Sequence, residues 1–191
     1  MLSRILTDKI HVSLSIPQYA TELYKLTDRN RAFLRQWLPW LDNISAEQDT
    51  CSFLKMQLQR FGRGEALHLT IFYEDEVAGV AGFNEIDSTN GIGYIGYWLG
   101  QSFNGRGIMT TVVRDLIGIG EEFYGLQKFD IRCATGNSRS RAIPERLGFS
   151  HEGTLRRAEK VYDQWFDHEV YALFSEQGEQ GVSAKSDRAG G

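Results

Sequence analysis

The sequence predicts an α/β chain built on one sheet of mixed strand direction, and three observations predict it. First, "LHLTIFY" (67–73), "EVAGVAGFNEI" (76–86) and "GIGYIGYWLG" (91–100) are successive strand-like stretches. Their connections are hairpin-sized, so these strands should be antiparallel. Second, Met109, Val112, Val113, Leu116, Ile117 and Phe123 then recur at steps of three and four, which is one apolar helix face. Third, a strand, a short helix and two strands close the chain. The regular strand–helix alternation of a doubly wound parallel sheet is missing.

The remaining elements follow from local chemistry. "HVSLSI" (11–16) alternates and reads as a strand. Pro17 is suited to a first helical turn, and "QYATELYKLTDRN" carries Tyr19, Leu23 and Leu26 on one face. "RAFLRQWLPWL" reads as a helix that Pro39 should end or kink, and residues 46–61 as a third helix. Gly125 should stop the long helix. "KFDIRCAT" (128–135) is a strand, and "NSRSRAIPERLGF" (137–149) a capped short helix closing on Gly148. "SHEGTLRRAEKVYDQWFDHEVYALF" (150–174) reads as two strands around a turn near Asp163–Gln164. Residues 1–175 are therefore expected to form one domain. Residues 176–191 lack aromatic and periodic apolar positions, and are expected to be a disordered tail.

Composition removes several functions. At 41% hydrophobic and 24% charged, the chain is ordinary for a soluble globular domain. A formal net charge of −4 leaves no basic footprint, so nucleic acid is not the expected partner. No apolar run reaches membrane length. Two cysteines, Cys51 and Cys133, are too few for a disulfide framework. Neither they nor the four histidines show metal-ligand spacing, so free thiols and a cytoplasmic location are expected and no metal is assigned.

One stretch needs a chemical explanation. "QSFNGRGIMTTVV" (101–113) sets Gly105 and Gly107 around Arg106 at the mouth of the long helix. The first amides of a helix lack partners, and its dipole leaves partial positive charge there. Glycine lets those amides approach an anion, which makes "NGRGIMT" a candidate phosphate cradle. An ordinary turn with positive-φ glycines would carry the same letters. Neither the dinucleotide G-x-G-x-x-G, excluded by Thr110, nor the P-loop pattern is present.

"GYIGYWLGQSFNGRGIMTTVV", "CATGNSRSRAIPERLGF" and "HEGTLRRAEKVYDQWFDHEVYAL" together resemble the GNAT acyl-CoA N-acyltransferase superfamily, and within it the RimJ/RimL type of ribosomal-protein N-terminal acetyltransferase. The resemblance covers residues 6–174. It implies the GNAT fold: a mostly antiparallel sheet of six to seven strands, flanked by helices and splayed at a central parallel pair. It implies acetyl-CoA as co-substrate, with no metal, and a homodimer. Asn104, Gly105, Arg106, Gly107, Ile108, Met109 and Thr110 would hold the coenzyme A pyrophosphate. The backbone of Tyr97, Trp98 and Leu99 would pair with the pantetheine arm, which Asn137 would also touch. Asn104 and Met109 depart from the superfamily, which usually has Gln or Arg at the first and Gly or Ala at the second. Pro144 departs too.

The resemblance implies direct attack of an amine on a thioester, which needs a base and an acid. It sets Glu159 ahead of Glu85 as base, and Ser140 near the thioester sulfur as acid. As bare residues, both carboxylates could equally be solvated or ion-paired, since Arg156, Arg157 and Lys160 crowd Glu159; Ser140 could equally be a helix cap. Cys133 lies mid-strand without a nearby histidine and is read as a buried thiol. The expected acceptor is a protein N-terminal amine. A small amine acceptor, and a non-catalytic acyl-CoA-binding module, are the alternatives.

Overall fold

The computed structural model describes residues 3–175. The predicted tail, 176–191, lies outside the described residues. Eight strands form one sheet in the order β1-β2-β3-β4-β5-β6-β8-β7. They are β1 (Ser3–Ile5), β2 (Ile10–Leu14), β3 (Leu67–Tyr73), β4 (Glu76–Asp87), β5 (Ile92–Leu99), β6 (Lys128–Ala134), β7 (Ser150–Val161) and β8 (Gln164–Phe174). The expected six to seven strands become eight because "SRI" pairs with β2. Three mostly exposed residues carry too little alternation to announce a strand. Every pairing is antiparallel except β5 with β6.

Five helices flank the sheet: α1 (Ala20–Arg29), α2 (Arg31–Leu34), α3 (Glu47–Gly62), α4 (Ile108–Tyr124) and α5 (Ser138–Arg146). The helix predicted across residues 31–41 stops at Leu34, well before Pro39. Leu38 is already extended at φ −116°, ψ 108°, as the residue before a proline prefers, and Pro39 then opens a separate 3₁₀ turn. α3 starts where the Asp49 carboxylate accepts from the backbone amides of Ser45 and Ala46.

The core lies between the sheet and α4, where Val112, Val113 and Leu116 are fully buried against a layer holding Phe83, Phe129 and Ile131. Phe123, which shares the sequence rhythm of that helix, is 58% exposed; Tyr124 is the last-turn side chain that packs on Phe83. On the other sheet face, α1 and α3 bury Leu23 and Leu54 beside Val80 and Trp98. Among the described residues no helix is long and apolar enough to cross a membrane.

Two irregularities shape the sheet for its task. β5 and β6 pair only from Ile92↔Lys128 to Ile95↔Ile131, although β5 runs on to Leu99 and β6 to Ala134. Beyond Ile95 the two strands part, each following its outer neighbour, β4 or β8. The register of β4 on β5 also shifts between Phe83 and Glu85, a bulge at Asn84. The final hairpin turns at Tyr162–Asp163, one residue earlier than predicted, with Tyr162 in the left-handed region at φ 55°.

Candidate active site

The start of α4 is an open row of backbone donors. Gly107 caps the helix at φ 75°, and Gly105 has φ 76°. No side chain caps this end, and Thr111 is the first helical residue whose N–H finds a backbone acceptor, the Gly107 carbonyl at 3.1 Å. A Cβ at Gly107 would meet nothing within 4 Å, so the space in front of the helix is free. Ile108 and Met109 turn their side chains into the core, where Met109 is 5% exposed, and leave their amides at the mouth. The departure at Met109 therefore does not crowd the cradle.

The polar side chains of the loop hold its shape instead of pointing into the cradle. Asn104 donates through Nδ2 to the carbonyls of Gly100 and Gln101, both at 3.2 Å. Arg106 donates through Nε to the Ser102 carbonyl at 3.2 Å and lies over the Tyr73 ring. Thr110 accepts from Arg146 Nη1 at 2.9 Å, which ties α4 to the end of α5.

From this mouth a groove of about 510 Å³ runs along the free end of β5. Asn104, Met109, Tyr97, Trp98, Leu99, Asn137 and Ser140 line it. The backbone edge of β5 that faced β6 carries no strand here, because the parallel pairing ends at Ile95. Tyr97 donates its hydroxyl to the Ser140 carbonyl at 2.9 Å, and burial pushes its phenol well above the usual range. Trp98 points to the opposite face, 6.1 Å from the Trp40 ring, and Leu99 is buried in the core.

A larger cavity of about 920 Å³ opens on the other side of the splay. It shares Tyr97, Trp98, Asn137 and Ser140 with the groove, so the two meet where β5 and β6 part. Glu85, Glu159 and His168 line its walls. The predicted catalytic residues Glu159, Ser140 and Glu85 thus face one space, although they come from β7, α5 and β4.

Ser140 has two roles that do not compete. Its N–H donates to Asn137 Oδ1 at 3.2 Å, so Asn137 caps α5 and the Ser140 hydroxyl is not the cap. That hydroxyl stands 3.5 Å from the Tyr97 oxygen and also touches Cys133. Burial pushes the Cys133 thiol up to about 11, against the smaller opposing effect of the Ser140 hydrogen bond. A thiol so protonated is a poor nucleophile, in keeping with its reading as a buried residue. Pro144 is accommodated inside α5, its carbonyl accepting from the Phe149 N–H at 3.0 Å.

Glu159 is free of the cations that surround it in sequence. Between Leu155↔His168 and Glu159↔Phe166, residues 156–158 bulge out of the ladder. Asp167 pins the bulge by accepting from the Arg157 N–H at 2.7 Å, with Arg157 at φ 49°. Among the described residues the side chain that meets the Glu159 carboxylate is His168, Nε2 to Oε2 3.3 Å, with the imidazole 16% exposed. Sequence reasoning gave His168 no role. The signal was available: a turn at 162–163 sets Glu159 opposite Phe166 and His168 one diagonal step away on the same face. Glu85 is exposed on the far wall, beside the Asn84 bulge.

Donors for an anion, a strand edge for an extended arm, and a carboxylate–imidazole pair across a hydroxyl are what amine acylation from a phosphate-bearing carrier requires. Known proteins with the same build are found by comparison. The ribosomal-protein-serine acetyltransferase of Escherichia coli (strain K12) is 35% identical over 173 residues, covering 87% of this chain and 97% of that protein. The microcin C7 self-immunity acetyltransferase MccE, solved with acetyl-CoA and AMP, superposes with a TM-score of 0.85 at 33% identity, covering 89% of this chain and 94% of its own. RimL, the ribosomal L7/L12 alpha-N-protein acetyltransferase solved with coenzyme A, superposes with a TM-score of 0.86 at 29% identity, covering 89% and 96%. Residues 16–150 match the acetyltransferase (GNAT) domain, and with most of the chain inside that match, this protein belongs to the GNAT acetyltransferase family.

Proposed function

We propose that this enzyme transfers an acetyl group from acetyl-CoA to a protein N-terminal amine by direct attack in a ternary complex. The observation that carries the reading is the meeting of groove and cavity at the β5–β6 splay. Ser140 stands at the junction and the Glu159–His168 pair on the acceptor side. The amides of Gly107, Ile108 and Met109 suit a pyrophosphate, and the free edge of β5 at Tyr97–Leu99 suits a pantetheine arm. The donor brings an activated thioester carbonyl. Glu159, with His168 behind it, takes the ammonium proton as the amine attacks, and Ser140 offers its hydroxyl to the departing sulfur. Glu85 is the second carboxylate within the same cavity.

Relatives support each half of this reading. MccE holds acetyl-CoA, and in the RimL structure coenzyme A is disulfide-linked to a cysteine of that protein. In this chain Cys133 lines the larger cavity together with Ser140. The E. coli relative supports a ribosomal-protein N-terminus as acceptor. The test is mass spectrometry of candidate N-terminal peptides incubated with acetyl-CoA; a panel left unmodified at saturating concentration refutes that acceptor.

Trp37 and Trp40 in the cavity wall, which could stack on a ligand, support a small amine as the second reading. Parallel assays on peptides and small amines separate the two. Tight coenzyme A binding without turnover on either would assign a non-catalytic binding module. Residues 1–175 are taken as the catalytic domain of a cytoplasmic homodimer on the strength of the RimJ/RimL resemblance; light scattering that returns a monomer removes the dimer.

A further inference from the structure

The β7–β8 hairpin outruns the sheet that carries it. β6 pairs with β8 only as far as Ala134↔His168, and Thr135 adds one contact beyond, its N–H donating to the Asp167 carbonyl at 3.0 Å. β7 is the last strand of the sheet, with β8 as its neighbour. Among the described residues no third strand therefore pairs with residues 159–166, and the ladder behind them is broken by the 156–158 bulge. A two-stranded hairpin is marginally stable by itself. Yet this tip carries Glu159, with Phe166 opposite it.

The turn at the tip adds a second observation. Tyr162 lies in the left-handed region at φ 55°, where a large side chain is an outlier and Asn or Gly is at ease. Such a residue persists where its surroundings hold it. The Tyr162 side chain crosses to the segment that follows α2. Its hydroxyl donates to the Leu38 carbonyl at 3.2 Å, 124 residues away in sequence. The Arg35 guanidinium lies over its ring, 3.7 Å from the centroid. Asp42 fixes that guanidinium, accepting from Nε at 2.9 Å and from Nη2 at 2.8 Å. A planar cation held in this way stacks well on an aromatic face. Nearby, the Trp37 ring meets Phe166 edge-on, with centroids 6.0 Å apart. Trp37, Leu38 and Trp40 line the large cavity, as does Glu159, so these contacts join two walls of one space.

We infer that Tyr162 is a positioning residue, a clamp that fastens the overhanging tip of the β7–β8 hairpin to residues 35–42 and so fixes Glu159 in the acceptor cavity. Tyr162 itself lines neither the cavity nor the groove, so it acts on the reaction through Glu159. The catalytic half of the inference rests on Glu159 being the base proposed above.

Two variants test it. Tyr162→Asn suits the left-handed turn and removes both contacts. Tyr162→Phe keeps the ring and removes the bond to Leu38. Amide hydrogen exchange read by mass spectrometry should show peptides covering 159–166 and 35–42 exchanging about tenfold faster in Tyr162→Asn, with a smaller rise in Tyr162→Phe and no change in α4. On a Ser-initiated peptide, Tyr162→Asn should lower kcat by about tenfold, because a displaced catalytic group is costly, while acetyl-CoA affinity stays within about twofold. In a Glu159→Gln background the same substitution should cost nothing further, since the group it positions is already gone. A general structural role would lower kcat by the same factor in both backgrounds. Unchanged exchange at the tip, or a full tenfold loss in the Glu159→Gln background, overturns the inference. Peptides left unmodified by the wild type refute the acceptor, and a Glu159→Gln variant as fast as the wild type refutes the base. In either case faster exchange at the tip still upholds the clamp, and unchanged exchange still overturns it.

Discussion

Gly107 offers a test in which fold and cofactor separate cleanly. At φ 75° it sits in the left-handed region, where an L-residue costs about 1–2 kcal/mol. A Cβ there meets no protein atom within 4 Å, so Gly107→Ala adds no collision to that backbone cost. Gly125 provides the control. It closes the other end of the same helix at φ 62°, and its Cβ also meets nothing within 4 Å. Both alanine variants should therefore lose about 1–2 kcal/mol, a Tm drop of roughly 2–8 °C for a domain of this size. Only Gly107→Ala puts a methyl group before the helix amides. Losing one or two charge-assisted hydrogen bonds, at about 1.5–3 kcal/mol each, should weaken acetyl-CoA binding by at least about tenfold. Isothermal titration with acetyl-CoA and thermal melts of both variants measure the two quantities. Wild-type affinity in Gly107→Ala, with a Tm drop equal to that of Gly125→Ala, would refute the cradle and leave an ordinary turn.

The other predictions concern the meeting point of the two spaces. Glu159→Gln should lower kcat by about 10²–10⁴ with acetyl-CoA affinity unchanged, whereas Glu85→Gln should change kcat far less; steady-state kinetics that reverse this order would move the base to β4. Ser140→Ala should lower kcat by about tenfold or more without loss of stability, because the cap on α5 uses the Ser140 amide and not its hydroxyl; Asn137→Ala should instead cost about 1 kcal/mol in urea unfolding. His68 makes folding pH-dependent with a defined sign: its folded pKa is pushed down by burial to about 4, below the ordinary 6.5, so between those values the unfolded chain binds a proton that the folded chain refuses. Stability should thus be full above pH 6.5 and fall as pH drops toward 4, by up to about 3 kcal/mol, and urea unfolding of His68→Gln should lack that component.

How far the sequence could be read depends on what each part is made of. β3, β4 and β5 were legible because alternation and tight turns are written locally, and the two residues Glu74 and Asp75, both at positive φ, make the first turn. The start of α4 was legible for the same reason: its chemistry is in the backbone, and glycines mark where the backbone must be bare. The acceptor side was not. Its side chains converge only through register, and a one-residue change of register sends a side chain to the opposite face. Two bulges shift the register here, by two residues in β7 and by one in β4. One lifts residues 156–158 out of the ladder, which takes Arg156 and Arg157 away from Glu159 and leaves His168 as its neighbour. The other turns Asn84 and Glu85 into the same cavity. From spacing alone Glu159 and Glu85 were therefore equivalent carboxylates. The structure separates them by what stands behind each. Glu159 lies 3.3 Å from the His168 imidazole, across the junction from Ser140, whereas Glu85 stands exposed beside the Asn84 bulge. The two bulges thus shape the two walls differently: on the β7–β8 hairpin Glu159 comes to lie beside His168, and on β4 Asn84 and Glu85 are presented side by side, which is why the proposed base is placed on the hairpin.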